Sequence, residues 1–255
     1  MTQIEKAKTF HALHKKGEPV ILFNIWDAGS AMAVKYAGAT AIATGSHSVA
    51  AANGFDDGES IPLDFVLVNI KRIVNAVDVP VSLDFEGGYA TDIDTLKANV
   101  RRVLDTGAVG INFEDQVVGG EGLYPIDEQS QRIAAVREVA DKAGIPFFIN
   151  ARTDVFLKNL PADDTKDLVE ESVKRANAYQ QAGASGLFAP GLRDPELIRE
   201  LCAQSPLPVN IMVLPDTPSN SEMAALGVAR ISYGPGPYRQ MIASLKSAAS
   251  AVYGS

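Results

Sequence analysis

The chain has 255 residues, of which 46% are hydrophobic and 21% charged, enough to bury a core as one α/β barrel or as two small domains. The net charge of −8 argues against a nucleic acid partner, because phosphate binding needs a basic surface. No apolar run reaches the roughly 18 residues of a membrane helix, and segment 1–17 has no signal-peptide pattern. The single cysteine, Cys202, fits a reducing compartment. These features predict a cytoplasmic protein with neither a nucleic acid nor a membrane as partner.

Glycines and prolines mark the starts of successive strands. In four places a glycine closes a helical pattern and an apolar strand follows at once: Gly38, Gly107, Gly183 and Gly227. In three others a proline opens the strand: Pro80, Pro146 and Pro208. In chain order, the pattern predicts strands near residues 20–25, 40–45, 80–86, 109–114, 147–152, 186–189, 208–213 and 229–232. Helical patterns fill the gaps, for example at 62–76, 93–106 and 127–143.

Eight strands alternating with helices in about 250 residues are typical of an α/β protein with a (β/α)8 TIM barrel. The alternative is a doubly wound open sheet, which usually carries a glycine-rich loop after its first strand. Here the first strand runs into residues 23–27 without such a loop. In the third strand Ser82, Asp84 and Glu86 share one face, polar toward its end, as expected under a barrel mouth. We therefore predict a single barrel domain over 1–255.

Three carboxylates follow the third and fourth strands. Asp84 and Glu86 end one apolar run, and Glu114 ends the next. Carboxylates at the ends of neighbouring parallel strands can hold a hard cation such as Mg²⁺, with Mn²⁺ as the alternative ion. Asp84 is the expected direct ligand, whereas Glu86 and Glu114 would act partly through water. The competing interpretation is that these acids are ordinary strand-end charges or helix caps.

Arg152, at the end of the fifth strand, has two interpretations. It could form a structural ion pair with Glu114, or it could clamp a substrate carboxylate and stabilise enolate charge; both can hold at once. Further polar residues at strand ends are candidates for substrate binding: Ser46, His47, Ser48, Asn150 and Asn210. For the 46–48 segment, small hydroxyls and free backbone N–H groups could hold a carboxylate or phosphonate.

Two glycine-containing segments lie after the second and fourth strands. In the loop 53–58, Asp57 could enter the site, although a plain turn is equally consistent with the sequence. The segment 116–124 contains three glycines and suggests a lid over the substrate. No spacing singles out the residue that handles protons; the candidates are Tyr89, His47, Glu121 and Tyr124. His11, His14 and Cys202 are expected to be structural.

Three motifs together resemble the isocitrate lyase/phosphoenolpyruvate mutase superfamily: Leu83–Tyr89, Asn112–Asp115 and Asn150–Asp154. The resemblance spans essentially the whole chain. It implies a (β/α)8 barrel whose terminal helix is swapped between the subunits of a homodimer or homotetramer. It also implies Mg²⁺ and chemistry on small anionic 2-oxo acids through an enolpyruvate-like intermediate.

The same resemblance implies roles for single residues. Ser46 and His47 would lie where the family binds the substrate carboxylate, Asp57 corresponds to its loop aspartate, and Arg152 to its substrate arginine. With Glu114, Asp57 and Arg152 are the expected catalytic residues.

Two departures from the family pattern bear on the activity. The lid at 116–124 lacks the cysteine of the lyases and the lysine of the mutases, and the sixth strand ends in Phe188–Gly191, where relatives place a glutamate or histidine. The sequence thus predicts a Mg²⁺-dependent lyase that cleaves a C–C bond of a 2-oxo or 2-hydroxy acid, for example by decarboxylation. The alternatives are a phosphonopyruvate-type mutase or hydrolase and a non-catalytic ligand-binding relative.

Overall fold

The computed structural model describes residues 1–159 and 165–254, and its eight parallel strands form one sheet. The strands are β1 (Val20–Leu22), β2 (Ile42–Ala43), β3 (Val81–Asp84), β4 (Gly110–Glu114), β5 (Phe148–Arg152), β6 (Gly186–Phe188), β7 (Val209–Met212) and β8 (Arg230–Ser232). Their order in the sheet is β1-β8-β7-β6-β5-β4-β3-β2. The two edge strands meet through a parallel bridge between Ile25 and Thr44. The predicted (β/α)8 barrel is therefore confirmed.

Helices alternate with the strands. They are α1 (Gln3–Leu13), α2 (Ala28–Tyr36), α3 (Ser46–Ala52), α4 (Leu63–Ala76), α5 (Ile93–Leu104), α6 (Ile126–Lys142), α7 (Lys166–Gln181), α8 (Pro195–Gln204), α9 (Asn220–Ala225) and α10 (Gly236–Tyr253), with a 3₁₀ turn at Leu157–Asn159. The three helices given as examples from the sequence correspond to α4, α5 and α6. Within the described residues, no helix is both long and apolar enough to cross a bilayer.

The apolar core has two parts, separated by the barrel wall. Outward-facing side chains such as Leu83 and Phe85 pack against the helices in a large cluster. A smaller cluster lies inside the N-terminal end of the barrel, where Phe10 of α1 meets Phe148 of β5 edge to face, with ring centroids 5.4 Å apart. Because α1 closes this end, the polar side chains inside the barrel are accessible from the opposite, C-terminal mouth.

Strand register places the polar residues of three neighbouring strands side by side. Asp84 of β3 pairs with Asn112 of β4, which in turn pairs with Asn150 of β5. One layer nearer the mouth, Glu114 pairs with Arg152. These side chains point into the barrel because residues two apart on a strand share a face.

The local structure differs from the sequence expectation at two strand ends. β3 ends at Asp84, and Glu86 adopts a left-handed backbone conformation with φ +50°, so the alternation of a strand does not set its direction. Ser46 does not extend β2 but begins α3, and its backbone N–H is bonded to Asp84 rather than free. Ser46 is bonded to Asp84 and Glu86 to the backbone of residues 58 and 59, so both departures accompany contacts between segments that are far apart in sequence.

The last helix, α10, leaves its own barrel. Pro237 in its first turn is its one buried residue, whereas Ile242, Leu245 and Val252 are exposed. On the outer wall beside β1, a groove of about 770 Å³ is lined by apolar residues that include Ile21 and Phe23. An exposed apolar helix and an uncovered apolar wall in one chain are what the expected helix swap requires.

Candidate active site

A cavity of about 180 Å³ lies at the C-terminal mouth of the barrel. Its polar lining includes Ser46, His47, Asp57, Asp84, Asn112 and Arg152. The groove beside β1 is larger, but its lining is mostly apolar. We therefore place the candidate active site at the mouth, where barrel enzymes carry their catalytic groups.

Asp84 is fixed at the bottom of this cavity by two donors. The backbone N–H of Ser46 donates to its Oδ2 at 2.9 Å, and the side-chain amide of Asn112 donates to its Oδ1 at 3.3 Å. Each carboxylate oxygen keeps further lone-pair capacity. Burial raises the pKa of Asp84, and Arg152 opposes that shift.

The Glu86 carboxylate connects β3 to the loop before α4. Its Oε2 accepts the backbone N–H groups of Gly58 at 3.0 Å and Glu59 at 2.8 Å, and its Oε1 accepts the hydroxyl of Tyr89 at 3.1 Å. Burial and, to a smaller extent, the nearby Asp84 together raise the pKa of Glu86 to about 7. Glu86 shares a small side cavity with Asp84 and does not line the main one.

Arg152 is held by two carboxylates at once. Its Nη1 lies 2.8 Å from Glu114 Oε2, while its Nε and Nη2 donate to Asp154 at 2.6 and 2.9 Å. Burial alone would lower the pKa of Arg152, but Glu114 and Asp154 raise it above the usual value. The structural ion pair with Glu114 is thus present, and Arg152 still lines the cavity.

Buried ion pairs behind the mouth hold the strand ends in place. Asp115 accepts the backbone N–H of Asp154 at 3.0 Å, Arg175 Nη1 at 3.0 Å and the Tyr179 hydroxyl at 2.9 Å, so it joins β4, β5 and α7. Burial raises the pKa of Asp115, while the Asp154 N–H lowers it. We assign Asp115 a positioning role.

The loop after Asp84 is supported from beneath by Arg132 of α6. Its guanidinium donates to the carbonyls of Gly87, Ala90 and Thr91 at 2.5, 3.0 and 3.2 Å. The Arg132 side chain is almost completely buried, which makes these three carbonyls its anchor. The rigid support fixes the backbone that carries Glu86.

A polar chain leads from Asp84 to the barrel interior. Asn112 Oδ1 accepts Nη2 of Arg230 at 3.0 Å and Nδ2 of Asn150 at 2.9 Å. Burial lowers the pKa of Arg230 to about 9, so it stays charged at neutral pH. Arg230 therefore orients Asn112, which in turn orients Asp84.

The carboxylate oxygens at the mouth suit a hard cation, but they do not form a complete metal-binding site by themselves. Among residues 1–159 and 165–254, no three His, Cys, Asp or Glu side chains converge closely enough to form one. Mg²⁺ takes one or two carboxylates and keeps several waters. Burial raises the pKa values of Asp84, Glu86 and Glu114, and neighbouring carboxylates raise those of the two glutamates in the same direction, so a bound cation would offset their mutual repulsion. An ion bound directly by Asp84, with the glutamates acting through water, suits the arrangement.

Several predicted residues lie outside the cavity lining. Ser48 is buried in α3, Asn150 is bonded to Asn112, and Asn210 accepts a hydrogen bond from Ser232 at 3.2 Å. Asn150 and Asn210 thus belong to the layer beneath the cavity. Their roles in substrate binding remain predictions.

The four candidates for proton transfer lie in different parts of the structure, and they differ in their access to the cavity. His47 lines the cavity, whereas the Tyr89 hydroxyl is bonded to Glu86 and Tyr124 lies beneath Arg132, whose Cζ is 4.5 Å from its ring centroid. Glu121 is exposed at the tip of a hairpin closed by a bridge between Gln116 and Leu123. Position therefore favours His47.

Sequence reasoning missed three polar residues that line the cavity: Asn24, Ser232 and Arg239. Asn24 follows β1 and Ser232 ends β8. The search for polar residues at strand ends, which selected Asp84, could therefore have included both. Arg239 lies in the first turn of α10, and no local pattern distinguishes it from a surface arginine.

Comparison with known proteins agrees with the fold and the motifs. Residues 10–253 match the family model described as phosphoenolpyruvate phosphomutase. A crystal structure of a provisionally named phosphonomutase from Burkholderia cenocepacia is 49% identical, with a TM-score of 0.93, and the match covers 96% of this chain and 99% of that one. An uncharacterized protein of Mycobacterium tuberculosis is 35% identical over 96% of this chain and 88% of its own length. The 2-methylisocitrate lyase of Escherichia coli is 28% identical over 92% and 80%, respectively.

The chain therefore belongs to the phosphoenolpyruvate mutase family, within the isocitrate lyase/phosphoenolpyruvate mutase superfamily. The resemblance carried by the three sequence motifs is confirmed. The names of its relatives include a lyase and a mutase, so the family by itself leaves the bond that is broken undecided.

Proposed function

We propose that this protein is a Mg²⁺-dependent lyase that cleaves a C–C bond of a small 2-oxo or 2-hydroxy acid. The observation that carries the proposal is the cavity at the barrel mouth, where Asp84 and Arg152 face the same space. An enolate-forming reaction needs two parts: an acidic group that can hold a cation, and a guanidinium that can hold the substrate carboxylate.

The chain's own residues divide the work between them. Asp84 would hold Mg²⁺, with Glu86 and Glu114 acting through water, and Mn²⁺ would fit the same oxygen donors. When bound, the ion supplies Lewis-acid stabilisation of negative charge on the substrate oxygens. Arg152 has donors left after its contacts with Glu114 and Asp154, and it orients the substrate carboxylate.

The reaction that demands least of this site is decarboxylation of an oxaloacetate-like acid. The bond between C3 and the departing carboxylate breaks, its electron pair enters the enolate, and CO₂ leaves without a proton donor. A proton must afterwards return to C3. His47 lines the cavity and is the proposed donor, while Asp57, from the neighbouring loop, also faces the cavity.

The decisive experiment is an assay of the purified protein with Mg²⁺ against oxaloacetate and alkyl-substituted malates, with pyruvate and related 2-oxo acids as measured products. We expect turnover that disappears with EDTA and returns with Mg²⁺ or Mn²⁺. Absence of product from every substrate would remove the lyase proposal. If Mg²⁺ and oxalate nevertheless raised the melting temperature, the non-catalytic alternative would take its place.

A second candidate function is P–C bond chemistry on phosphonopyruvate, by isomerisation or hydrolysis. It is favoured by the family model, which is named for a phosphomutase, and by Arg152 in the cavity, since a guanidinium binds phosphonate oxygens well. Phosphorus NMR after incubation with phosphonopyruvate and Mg²⁺ distinguishes the two. An unchanged phosphonate signal would eliminate this candidate.

We also propose that α10 packs on the barrel of a second copy, in a homodimer or homotetramer. The exposed side chains of Ile242 and Leu245 on α10 match the apolar groove beside β1. The variant Leu245→Glu should shift the protein toward monomers in sedimentation, whereas Ser247→Glu, at an exposed polar position of the same helix, should not. An unchanged oligomer in Leu245→Glu would contradict the swap.

A further inference from the structure

A second polar cavity, of about 780 Å³, lies at the N-terminal end of the barrel, on the face opposite the mouth. It is formed by the start of α1, the last two turns of α4 and α5, and the loops that lead into β4 and β5. Helix ends and the loops that precede strands lie at this end of a barrel. Its volume is in the usual range for small-molecule sites, and its lining and that of the mouth cavity have no described residue in common.

The side chains around this cavity carry an excess of positive charge. Three basic residues from three different helices line it: Lys6, Lys71 and Arg101. Asp105 is the one carboxylate among the described lining residues, which leaves an excess of two positive charges. The chain as a whole has a net charge of −8. An anion is therefore attracted to this cavity more strongly than to the average surface of the protein.

The two helix ends beside the cavity already have partners from α1. Basic residues often neutralise helix C-termini, and here the Nζ of Lys6 donates to the carbonyl of Val77, the C-cap of α4, at 3.2 Å. At the end of α5, the side-chain amide of Gln3 donates to the carbonyl of Leu104 at 2.9 Å. Lys71 precedes the last turn of α4, and that described turn contains no basic residue. The end of α4 therefore does not depend on Lys71.

Lys71 and Arg101 also differ from their neighbour Arg102 in having no carboxylate partner. Arg102 follows Arg101 on α5 and is paired with Asp64 of α4. Among residues 1–159 and 165–254, no carboxylate forms an ion pair with Lys71 or Arg101. Both of these side chains are exposed, so their charges are available to a ligand.

We propose that this cavity binds a polyvalent oxyanion, of the polyphosphate or polycarboxylate kind, between Lys71 of α4 and Arg101 of α5. A guanidinium offers a planar fork of donors to phosphate or carboxylate oxygens, and an ammonium group offers a point charge. Each exposed charge pair contributes little by itself. A ligand with several negative charges gains from contacting both cations at once, whereas an anion of low charge does not. The site goes beyond the proposed function, because it lies at the other end of the barrel.

Titration calorimetry of the full chain in metal-free buffer tests the proposal. Tripolyphosphate, ATP and citrate are the polyvalent ligands, and orthophosphate is the reference of lower charge. We expect at least one of the three to bind at least about tenfold more tightly than orthophosphate, and to weaken when the salt concentration rises from about 50 to about 200 mM. The tightest ligand identifies the chemistry: free polyphosphate, nucleotide or polycarboxylate. Equally weak binding of all four would overturn the inference.

Variants locate the bound anion. Lys71→Gln and Arg101→Gln should each weaken the tightest ligand by about two- to fivefold, the effect of one exposed charge pair. Asp105→Asn should tighten it, because this variant removes the carboxylate of the lining. Arg102→Gln removes the same charge as Arg101→Gln from the next position of α5, outside the lining. It is the matched control and should leave the affinity within about twofold of that of the unchanged protein.

Two further results would overturn the inference. If Lys71→Gln and Arg101→Gln both leave the affinity unchanged, the anion binds elsewhere. If Arg102→Gln weakens binding as much as Arg101→Gln does, the surface attracts anions in general and the cavity is not a site. Should a variant fail to fold, the preference of the unchanged protein for polyvalent ligands still decides, because its absence overturns the inference. The assay contains no Mg²⁺ and measures no turnover, so its failure leaves the proposed function standing.

Discussion

At the C-terminal mouth of the barrel, Glu86 and Glu114 lie buried near the half-buried Asp84, whereas His14 and Arg230 are buried ionisable groups toward the N-terminal end. The mouth keeps its carboxylates beside a cavity, with Arg152 as their main protein cation. The N-terminal end is closed by α1 and filled with aromatic rings.

This difference between the two ends indicates that the mouth serves binding and the closed end serves stability. His14 stacks on Phe148, with centroids 3.9 Å apart, and its Nδ1 is 2.7 Å from the Phe10 carbonyl. This end gains stability from close packing. The mouth instead holds like charges together, which costs stability and would be offset by a bound cation. Changes at the mouth should alter function, and changes at the closed end should alter stability.

The largest expected effect is the loss of turnover in Asp84→Asn. If Asp84 holds the cation, activity should fall by about 10³-fold or more, while the melting temperature should not fall, because the variant removes a charge that burial penalises. Turnover and thermal unfolding measure the two effects. Asp78→Asn, at an exposed carboxylate 3.2 Å from Lys35, is the matched control. Near-normal turnover in Asp84→Asn would contradict the assignment of function to the mouth.

The converse change at the closed end is Phe10→Ala. Phe10 is completely buried, so the free energy of unfolding should drop by about 3–5 kcal/mol. Urea denaturation measures the drop, and the activity of the folded fraction should stay within about twofold. Phe65→Ala, at an exposed ring on α4, should cost far less. A large loss of turnover per folded molecule in Phe10→Ala would show that the two ends are not separable.

A smaller effect is expected for Asn112→Ala, which lies on the path between the ends. Asn112 joins Arg230 to Asp84, and loss of a residue that orients a metal ligand typically weakens metal binding by about 10–100-fold. Calorimetric titration with Mg²⁺ and oxalate would measure this. The exposed Asn177→Ala on α7 provides the control. Unchanged Mg²⁺ affinity would mean that Asp84 is held well enough by Ser46 alone.

The most gradual effect, spread over several pH units, is a pH dependence of stability from His14. Burial, with smaller contributions in the same direction from Arg230 and His11, lowers the pKa of His14 to about 3. The unfolded chain therefore takes up this proton first, near its ordinary pKa of about 6.5. Stability should decline as the pH falls from about 6.5 toward 3, by at most about 1.4 kcal/mol per pH unit.

The variant His14→Gln isolates that contribution, because glutamine has no proton to gain. Its free energy of unfolding should change less steeply between pH 6.5 and 4 than that of the unchanged protein. Asn177→Gln, at an exposed position of α7, removes no titrating group and should keep the original slope. Identical slopes in His14→Gln and the unchanged protein would show that His14 does not set this dependence.

Much of the fold could be predicted because its signals are local. Glycines at helix ends and apolar runs repeat with the period of a βα unit, and the structure confirms eight strands, all of them shorter than expected. The structural role of Cys202 was also accessible: the residue is buried, and burial raises the pKa of its thiol to about 12.

The site was only partly accessible from the sequence. Strand alternation placed Asp84 and Arg152 at one mouth, since both lie on regular strands. It failed for Glu86, whose left-handed φ follows the end of β3. It also could not foresee that the Ser46 N–H would be taken up by Asp84.

By itself, then, the sequence determined the barrel, the family and the carboxylate-rich strand ends, because each depends on short-range patterns of polarity and turn residues. Only the tertiary structure decided which groups share one cavity. Arg239 is distant in sequence from Asp84 and reaches the same space only because the barrel closes and brings β8 and the start of α10 beside β1. The balance of charges around Arg152 instead follows from the pairing of neighbouring strands, which places Glu114 beside it.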